Sequence, residues 1–274
     1  MRVTRRPLLF VLLGCLFFTS ASRTTTQMPE LNALTNRLGA AIEGAHAKAA
    51  IVADFTDGAG TVTLQGVLLA DRLWVSLQEG RHGFQTLNRD VLRKQLDKAR
   101  FSGGDFVEKT EIDAARRVGA DVLVTAKVER RGKVLAVTVT ASKISTAEQI
   151  YQQTWEVPRT ESLDGLALQS IQAKTPFFLI GQDGVSDPVC AYCPNPQYSD
   201  TARKQKIEGR VVLMVQINSS GRATNVWEIR GLPEGLTQQA IATVRQEWHF
   251  EPARDAHGRA VEMITPVDVS FRLM

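Results

Sequence analysis

The sequence predicts an α+β protein of two domains, an N-terminal mixed α/β sandwich and a smaller C-terminal domain. Residues 28–172 alternate short apolar runs with segments of helical spacing and then continue as antiparallel strands. Residues 173–189 contain two prolines and two glycines, which is typical of a linker. Residues 190–274 follow the order helix, strand, strand, helix, strand. This order predicts a compact αββαβ domain.

The composition is that of a globular protein. Of the 274 residues, 43% are apolar and 23% are charged. The 33 basic residues exceed the 29 acidic ones by only four, and they are scattered along the chain. A nucleic-acid partner is therefore not expected, because such a partner requires a clustered basic surface.

Residues 1–22 are predicted to be an export signal. A basic start that includes Arg5 and Arg6 precedes an apolar run from Leu8 to Phe18, and small residues follow this run. The run is shorter than the roughly 20 residues needed to cross a bilayer. We therefore expect a protein of the periplasm or cell envelope.

Two other interpretations of this leader stay open. The segment Leu12–Cys15 is similar to a lipobox, in which case Cys15 would carry a lipid anchor. The segment Thr4–Leu9 is similar to a twin-arginine signal. Membrane association is expected only through the signal or such an anchor.

The first domain is expected to begin with a helix over Pro29–Lys48, whose apolar residues recur every three or four positions. A buried strand follows at Ala49–Phe55 and ends in a glycine-rich turn. Thr63–Gln78 has helical spacing, Phe84–Leu87 suits a short strand, and another helix begins near Arg89.

The second half of this domain is expected to be mainly antiparallel. A helix over Lys109–Val118 leads into a buried strand at Val122–Val128. Apolar residues alternate over Lys133–Ile144, and Gln149–Val157 can form a third strand. A final helix is predicted over Glu161–Gln172.

Three segments of this domain resemble CsgG-, FlgO- and TolB-N-type envelope domains. They are Asp54-Phe55-Thr56, Leu87-Asn88-Arg89 and residues 117–124, and the last contains Gly-Ala-Asp before an apolar strand. The resemblance covers about residues 47–157. It implies an envelope assembly domain and not an enzyme.

The C-terminal elements are predicted from similar patterns. A short helix spans Tyr198–Lys206, and Arg210–Asn218 is a strand with apolar residues on both faces. A Ser-Ser-Gly turn leads to the partner strand Ala223–Arg230. Leu236–Trp248 is an amphipathic helix, and the closing strand extends to Leu273 with alternating apolar residues.

This block closely resembles the TonB C-terminal domain. The matching motifs are Gly209-Arg210-Val211-Val212, residues 218–222, Gly235-Leu236, Trp-His-Phe-Glu-Pro-Ala at 248–253 and the closing strand. The resemblance implies a periplasmic domain whose exposed edge strand pairs with an extended peptide of an outer-membrane TonB-dependent receptor, or with another envelope protein. The implied pairing residues are Ile264, Thr265, Val267, Asp268, Val269, Ser270, Phe271 and Arg272.

The chain also departs from that family. A membrane-spanning N-terminal helix and a long proline-rich spacer are expected in a full TonB, and this sequence has a short export signal and a globular domain instead. The resemblance therefore supports partner binding in TonB-dependent transport more strongly than energy transduction. The alternative is a structural or assembly adaptor of the envelope.

The residues that could carry chemistry do not form a catalytic pattern. Cys190 and Cys193 could form a disulfide, a free thiol pair, a redox motif or half of a zinc site, and the surrounding prolines favour the disulfide or the free pair. His249 and His257 are zinc candidates only by number.

Three other polar residues have a simple structural interpretation. Asp57 precedes a glycine and is expected in a turn, and Asp71 is expected on the polar side of a helix. His82 is expected to be solvated near the end of an element. We expect no metal, no cofactor and no enzymatic activity.

Overall fold

The computed structural model describes residues 29–101, 108–167, 177–179 and 184–273. The predicted export signal, residues 1–22, and Cys15 lie outside these residues. Within them, no helix has the length and apolar character that crossing a membrane requires.

The described part of the first domain contains five helices and six strands. They are α1 (Pro29–Gly44), β1 (Ala49–Val52), β2 (Thr56–Asp57), α2 (Leu64–Glu79), β3 (Gln85–Thr86), α3 (Arg89–Phe101), α4 (Glu108–Arg117), β4 (Val122–Arg131), β5 (Val134–Lys143), β6 (Gln149–Pro158) and α5 (Glu161–Ala167). The strands form one sheet in the order β3-β1-β4-β5-β6, and β2 pairs with β4. The pairs of β1 are parallel, and β4, β5 and β6 are antiparallel.

Helices cover both faces of this sheet where β1 and β4 lie. Val122 and Val124 pack in one core cluster with residues of α1 and α2, whereas Leu123 packs in another with residues of α3 and α4. A strand that is covered on both faces has no polar face. The consecutive apolar residues Val122–Val124 at the start of β4 follow from this arrangement.

The helix α2 is buried on nearly all sides. Its buried residues include Leu64, Leu68, Leu73 and Leu77 and also Asp71, which the sequence pattern placed on the polar side of the helix. That placement is wrong, because Asp71 is only 4% exposed. A helix that is apolar all round must have partners on more than one side.

Asp71 belongs to a buried charge network. Arg89 donates to Asp71, to Asp54 in the segment after β1 and to the carbonyl oxygen of Val52 in β1. Arg93 donates through Nη2 to Asp54 Oδ1 at 2.8 Å. Burial raises the pKa of Asp71, and the two guanidinium groups oppose this effect. The network joins β1, α2 and α3.

The second half of the chain forms a four-stranded sheet and a two-stranded ribbon. The elements are β7 (Phe177–Leu179), β8 (Val189–Tyr192), α6 (Asp200–Lys204), β9 (Gly209–Ile217), β10 (Ala223–Arg230), α7 (Leu236–Gln246), β11 (His249–Glu251) and β12 (Glu262–Phe271). The sheet order is β10-β9-β12-β7, and β11 pairs with β8. The α+β class and the predicted αββαβ core, here α6-β9-β10-α7-β12, are confirmed.

Two helices from different parts of the chain cover the C-terminal sheet. Leu213 and Val215 of β9 pack with residues of α7, whereas Val212 and Met214 belong to the core cluster that contains α2. The helix α2 also bonds the sheet directly, since Arg72 Nη2 donates to the carbonyl oxygen of Glu228 at 2.9 Å. The two predicted domains therefore share one continuous core.

Removing one acid from the buried network should be strongly destabilising. In Asp71→Ala, Arg89 stays buried without this counter-charge, and we expect the free energy of unfolding to fall by about 3–5 kcal/mol. Urea denaturation measures the change. Asp113→Ala is the control, because Asp113 and Arg116 form an exposed pair whose loss should cost less than about 1 kcal/mol. Equal losses in the two variants would contradict a structural role for the network.

The shared core predicts that a single truncation between the two sheets affects the whole chain. Met214 is 1% exposed, and Met214→Ala should lower the free energy of unfolding by about 2–5 kcal/mol in one transition. Calorimetry and urea denaturation test this expectation. Val189→Ala truncates a side chain that is 58% exposed and should change stability by less than about 0.5 kcal/mol. Two separate transitions in the wild-type protein would argue against one core.

Candidate partner-binding edge

The strand β12 contains the predicted pairing segment. It pairs with β9 in antiparallel register from Met263 to Phe271, and Val269 and Phe271 are buried against residues of α7. Its other edge is only partly occupied. Among the described residues, β7 is the strand that pairs there, and it reaches only Glu262–Ile264.

The strand β7 comes from the predicted linker. The apolar patch around Phe177 was expected either to pack on a domain or to form a short strand, and it forms a strand parallel to β12. Ile264 pairs with Leu179 and is not on the open edge, and Arg272 follows the end of the strand. Among the residues that the structure describes, no strand pairs with Thr265–Phe271 on this side, and we call this stretch the open edge of β12.

Pro266 determines which backbone groups point to this open edge. The register between β12 and β9 continues through Pro266 without a shift, although proline has no N–H to donate. Pro266 must therefore occupy a position whose amide side points away from β9. With a period of two, Asp268 and Ser270 also direct their N–H and C=O groups to the open edge.

Side chains of β12 alternate between the two faces of the sheet. Thr265, Val267 and Val269 lie on the face of α7, and the even-numbered residues lie on the face of α2. Asp268 accepts from Arg210 Nη1 at 3.0 Å. Both side chains of this pair are more than half exposed, so it contributes little to stability.

A recess of 360 Å³ lies beside the open edge on one side, and we call it the disulfide groove. Thr265–Asp268 form one wall of this groove. The opposite wall is mostly apolar and consists of Pro188, Cys190, Cys193, Trp248 and Phe250, with Asp187 beside them.

The sulfur atoms of Cys190 and Cys193 are bonded to each other in the structure. Cys190 lies in β8, which pairs with β11. The loop that contains the bond is also held by Trp248, whose indole N–H donates to the carbonyl oxygen of Pro194 at 2.9 Å. Trp248 thus joins this loop to the C-terminal core.

A second recess, of 550 Å³, lies between the two sheets, and we call it the α2 cleft. Its N-terminal wall includes Trp74, Gln78 and Glu79 of α2 together with Phe84 and Thr86. Its other wall is the sheet face formed by Arg210, Val212, Pro266 and Asp268. The cleft thus contains residues of both predicted domains.

Charges in and beside the α2 cleft are balanced. Glu79 pairs with Arg230 across the interface between the sheets, and Asp268 pairs with Arg210. Partial burial raises the pKa of Glu79, and the nearby guanidinium groups of Arg230 and Arg210 oppose the rise. The cleft therefore combines apolar side chains with charges that cancel.

The other sequence candidates have structural roles. Asp57 accepts from the backbone of Ala59 and Thr61 and so stabilises a turn. His249 contacts Arg222 and the carbonyl oxygen of Glu247. In the part of the chain that the structure describes, no three His, Cys, Asp or Glu residues are grouped so that they could hold a metal ion.

One histidine differs from expectation. His82 was expected to be solvated at the end of an element, but its side chain is only 10% exposed. Its ring stacks on Phe84 at a centroid distance of 5.1 Å and fills space beside Gly39 and Gly80. His82 thus supports the position of Phe84 in the α2 cleft.

Sequence reasoning missed the α2 cleft. One available signal was β9, which has apolar residues on both faces and therefore needs cover on both sides of the sheet. A second signal was the apolar character of α2 around its whole circumference. Neither pattern identifies which helix would cover which sheet.

Comparisons with known proteins agree with the predicted C-terminal domain. Residues 194–273 match the family model of the Gram-negative bacterial TonB protein C-terminal. The chain is 29% identical over 69 residues to Protein TonB of Salmonella typhimurium and 25% identical over 73 residues to Protein TonB of Escherichia coli. These matches cover 25% and 27% of this chain but only 28% and 30% of the relatives.

Parts of this chain are also similar to solved structures. The TonB C-terminal domain of Pseudomonas aeruginosa is 21% identical with a TM-score of 0.28, over 36% of this chain and 96% of that one. The LpoB C-terminal domain of Escherichia coli is 15% identical with a TM-score of 0.35, over 47% of this chain and 98% of that one. The family match confirms a TonB-like C-terminal domain, and the resemblance of the N-terminal domain to envelope assembly domains stays a prediction.

The disulfide should add little to global stability, because it closes a loop of only a few residues. We expect replacement of Cys190 and Cys193 by Ser to lower the free energy of unfolding by at most about 2 kcal/mol. Urea denaturation with and without reductant measures this value. The Ser variant is its own control, since reductant should not change its stability. A loss above about 4 kcal/mol would show that the bond holds more than its own loop.

Proposed function

We propose that this chain is an exported protein of the cell envelope that binds partners by β-strand addition. The observation that carries the proposal is the open edge of β12, Thr265–Phe271, in a TonB-like domain. Unpaired backbone groups along such an edge are a template for an extended peptide. The partner we propose is the extended segment of a TonB-dependent outer-membrane receptor, and the role is partner binding in transport without catalysis.

The proposed location is the periplasm, and two features support it. The leader at residues 1–22 has the order of an export signal. The bond between Cys190 and Cys193 is compatible with an oxidising compartment. The lipid anchor at Cys15 is the alternative way of holding the protein at a membrane.

A second function is favoured by the packing between the two sheets. The helix α2 packs directly on the C-terminal sheet, and Arg72 and Glu79 bond it at two points. A domain fixed in this way differs from one carried on a long spacer. An envelope assembly adaptor that binds its partner without transducing energy would suit this arrangement.

A single proline tests strand addition. Ser270→Pro removes an N–H that points to the open edge and places a ring where a partner strand would lie. The probe is a peptide with the extended segment of a TonB-dependent receptor, which we call the TonB-box peptide. We expect its binding to weaken about tenfold or more, measured by pull-down and fluorescence polarisation. Ser270→Ala keeps the N–H and should bind as the wild type does. Val269→Pro is a poorer test, because Val269 bonds to β9 and its loss would disturb the fold.

The outcomes separate the two functions. Binding of the peptide by the wild type and its loss in Ser270→Pro support the receptor-binding role. Failure of every TonB-box peptide to bind, with capture of another envelope protein that Ser270→Pro abolishes, supports the adaptor role. Equal binding by wild type and Ser270→Pro would show that strand addition at β12 is wrong.

A further inference from the structure

The two recesses meet at the same stretch of β12. Pro266 and Asp268 line both the disulfide groove and the α2 cleft. Thr265 and Val267, whose side chains are on the α7 face, line only the disulfide groove. The recesses therefore lie on opposite faces of the sheet, and β12 separates them at its open edge.

A strand added to this edge would have one set of side chains on each face. Successive side chains in a strand point to opposite faces of a sheet, and residues on neighbouring strands contact each other on the same face. Alternate residues of a bound segment would thus point to the disulfide groove and to the α2 cleft. Pairing is confined to Thr265–Phe271, because β7 occupies the edge up to Ile264.

We propose that the peptide site is composite, with α2 of the N-terminal domain as one of its two side walls. This inference rests on the proposed strand addition at β12 and extends it to the choice of partner. The TonB-like sheet supplies the backbone template, and residues outside residues 194–273 contribute to specificity. Trp74, Gln78 and Glu79 are the specificity-determining residues on α2.

The lining of each recess defines the chemistry of the partner. Proline, the disulfide and two aromatic rings line the groove, so the side chains that face it should be apolar. The α2 cleft offers two aromatic rings, the amide of Gln78 and the hydroxyl of Thr86, and its ion pairs cancel. Side chains that face the cleft should therefore be uncharged.

One acidic residue, Asp187, lies at the mouth of the disulfide groove. Asp187 is exposed and forms no ion pair with any residue that the structure describes. A basic residue beside the apolar positions of the partner would complement it. The occupant is thus an extended segment in which apolar residues alternate with uncharged residues, and it has a basic flank.

The experiment fills the α2 cleft without changing β12. The full chain carries Gln78→Trp at an exposed position near the end of α2, and the probe is the fluorescein-labelled TonB-box peptide. We expect the dissociation constant to rise about tenfold, because the added ring takes the space of the partner side chains. Asn36→Trp, at an exposed position on α1, is the matched control and should bind as the wild type does.

Two alanine-substituted peptides show which wall each side chain meets. The peptide with alanine at its cleft-facing positions should bind the wild type and Gln78→Trp with equal affinity. The peptide with alanine at its groove-facing positions should keep the tenfold difference between the two proteins. This coupling is a double-mutant cycle across the interface. Calorimetry checks folding, and Gln78→Arg, which favours a helix and fills the same cleft, replaces Gln78→Trp if that variant unfolds.

The failures of the two proposals are distinguishable. If Gln78→Trp and Gln78→Arg bind the peptide as the wild type does while Ser270→Pro does not, strand addition stands and the composite site is wrong. If the wild type binds no peptide, or if Ser270→Pro binds as well as the wild type, strand addition at β12 is wrong. The composite site is then wrong too, because it depends on strand addition.

Discussion

The burial of α2 is the constraint on which both halves of the structure depend. This helix packs on the N-terminal sheet and α1 and also on the C-terminal sheet, so its apolar residues face more than one partner. Gly66 permits its close approach to the chain after β1, because a Cβ there would lie 2.1 Å from the carbonyl oxygen of Phe55. Exposing either side of α2 would return a large apolar surface to water, and the two sheets are therefore held together.

The same helix gives the buried charges their position. Asp71 is on α2, Asp54 follows β1, and Arg89 begins α3, so one guanidinium group connects three parts of the fold. Buried charges are costly unless they are paired, and this requirement fixes the relative placement of these elements. Asp54 and Arg89 lie in two of the segments on which the envelope-domain prediction rests, and both have a structural role in this chain.

The open edge of β12 can pair with another strand, but two features of the chain restrict this pairing. β7 blocks its first residues, and Pro266 leaves one position of the open edge without a donor. These features restrict which strand can add and protect the edge from indiscriminate pairing. In the proposed strand addition, the recesses on both faces would let side chains of the partner contribute, and residues outside the TonB-like domain would add to selectivity.

Local patterns in the sequence determined the elements, the αββαβ order and the TonB-like motifs, because periodicity and turn chemistry depend on near neighbours. They also indicated that β9 is covered on both faces. Only the tertiary structure decided that α2 provides one of these covers, that Asp71 is buried and that β7 occupies part of the edge. These features join residues far apart in the chain, and a hydrophobic pattern shows that a face must be buried without showing against what.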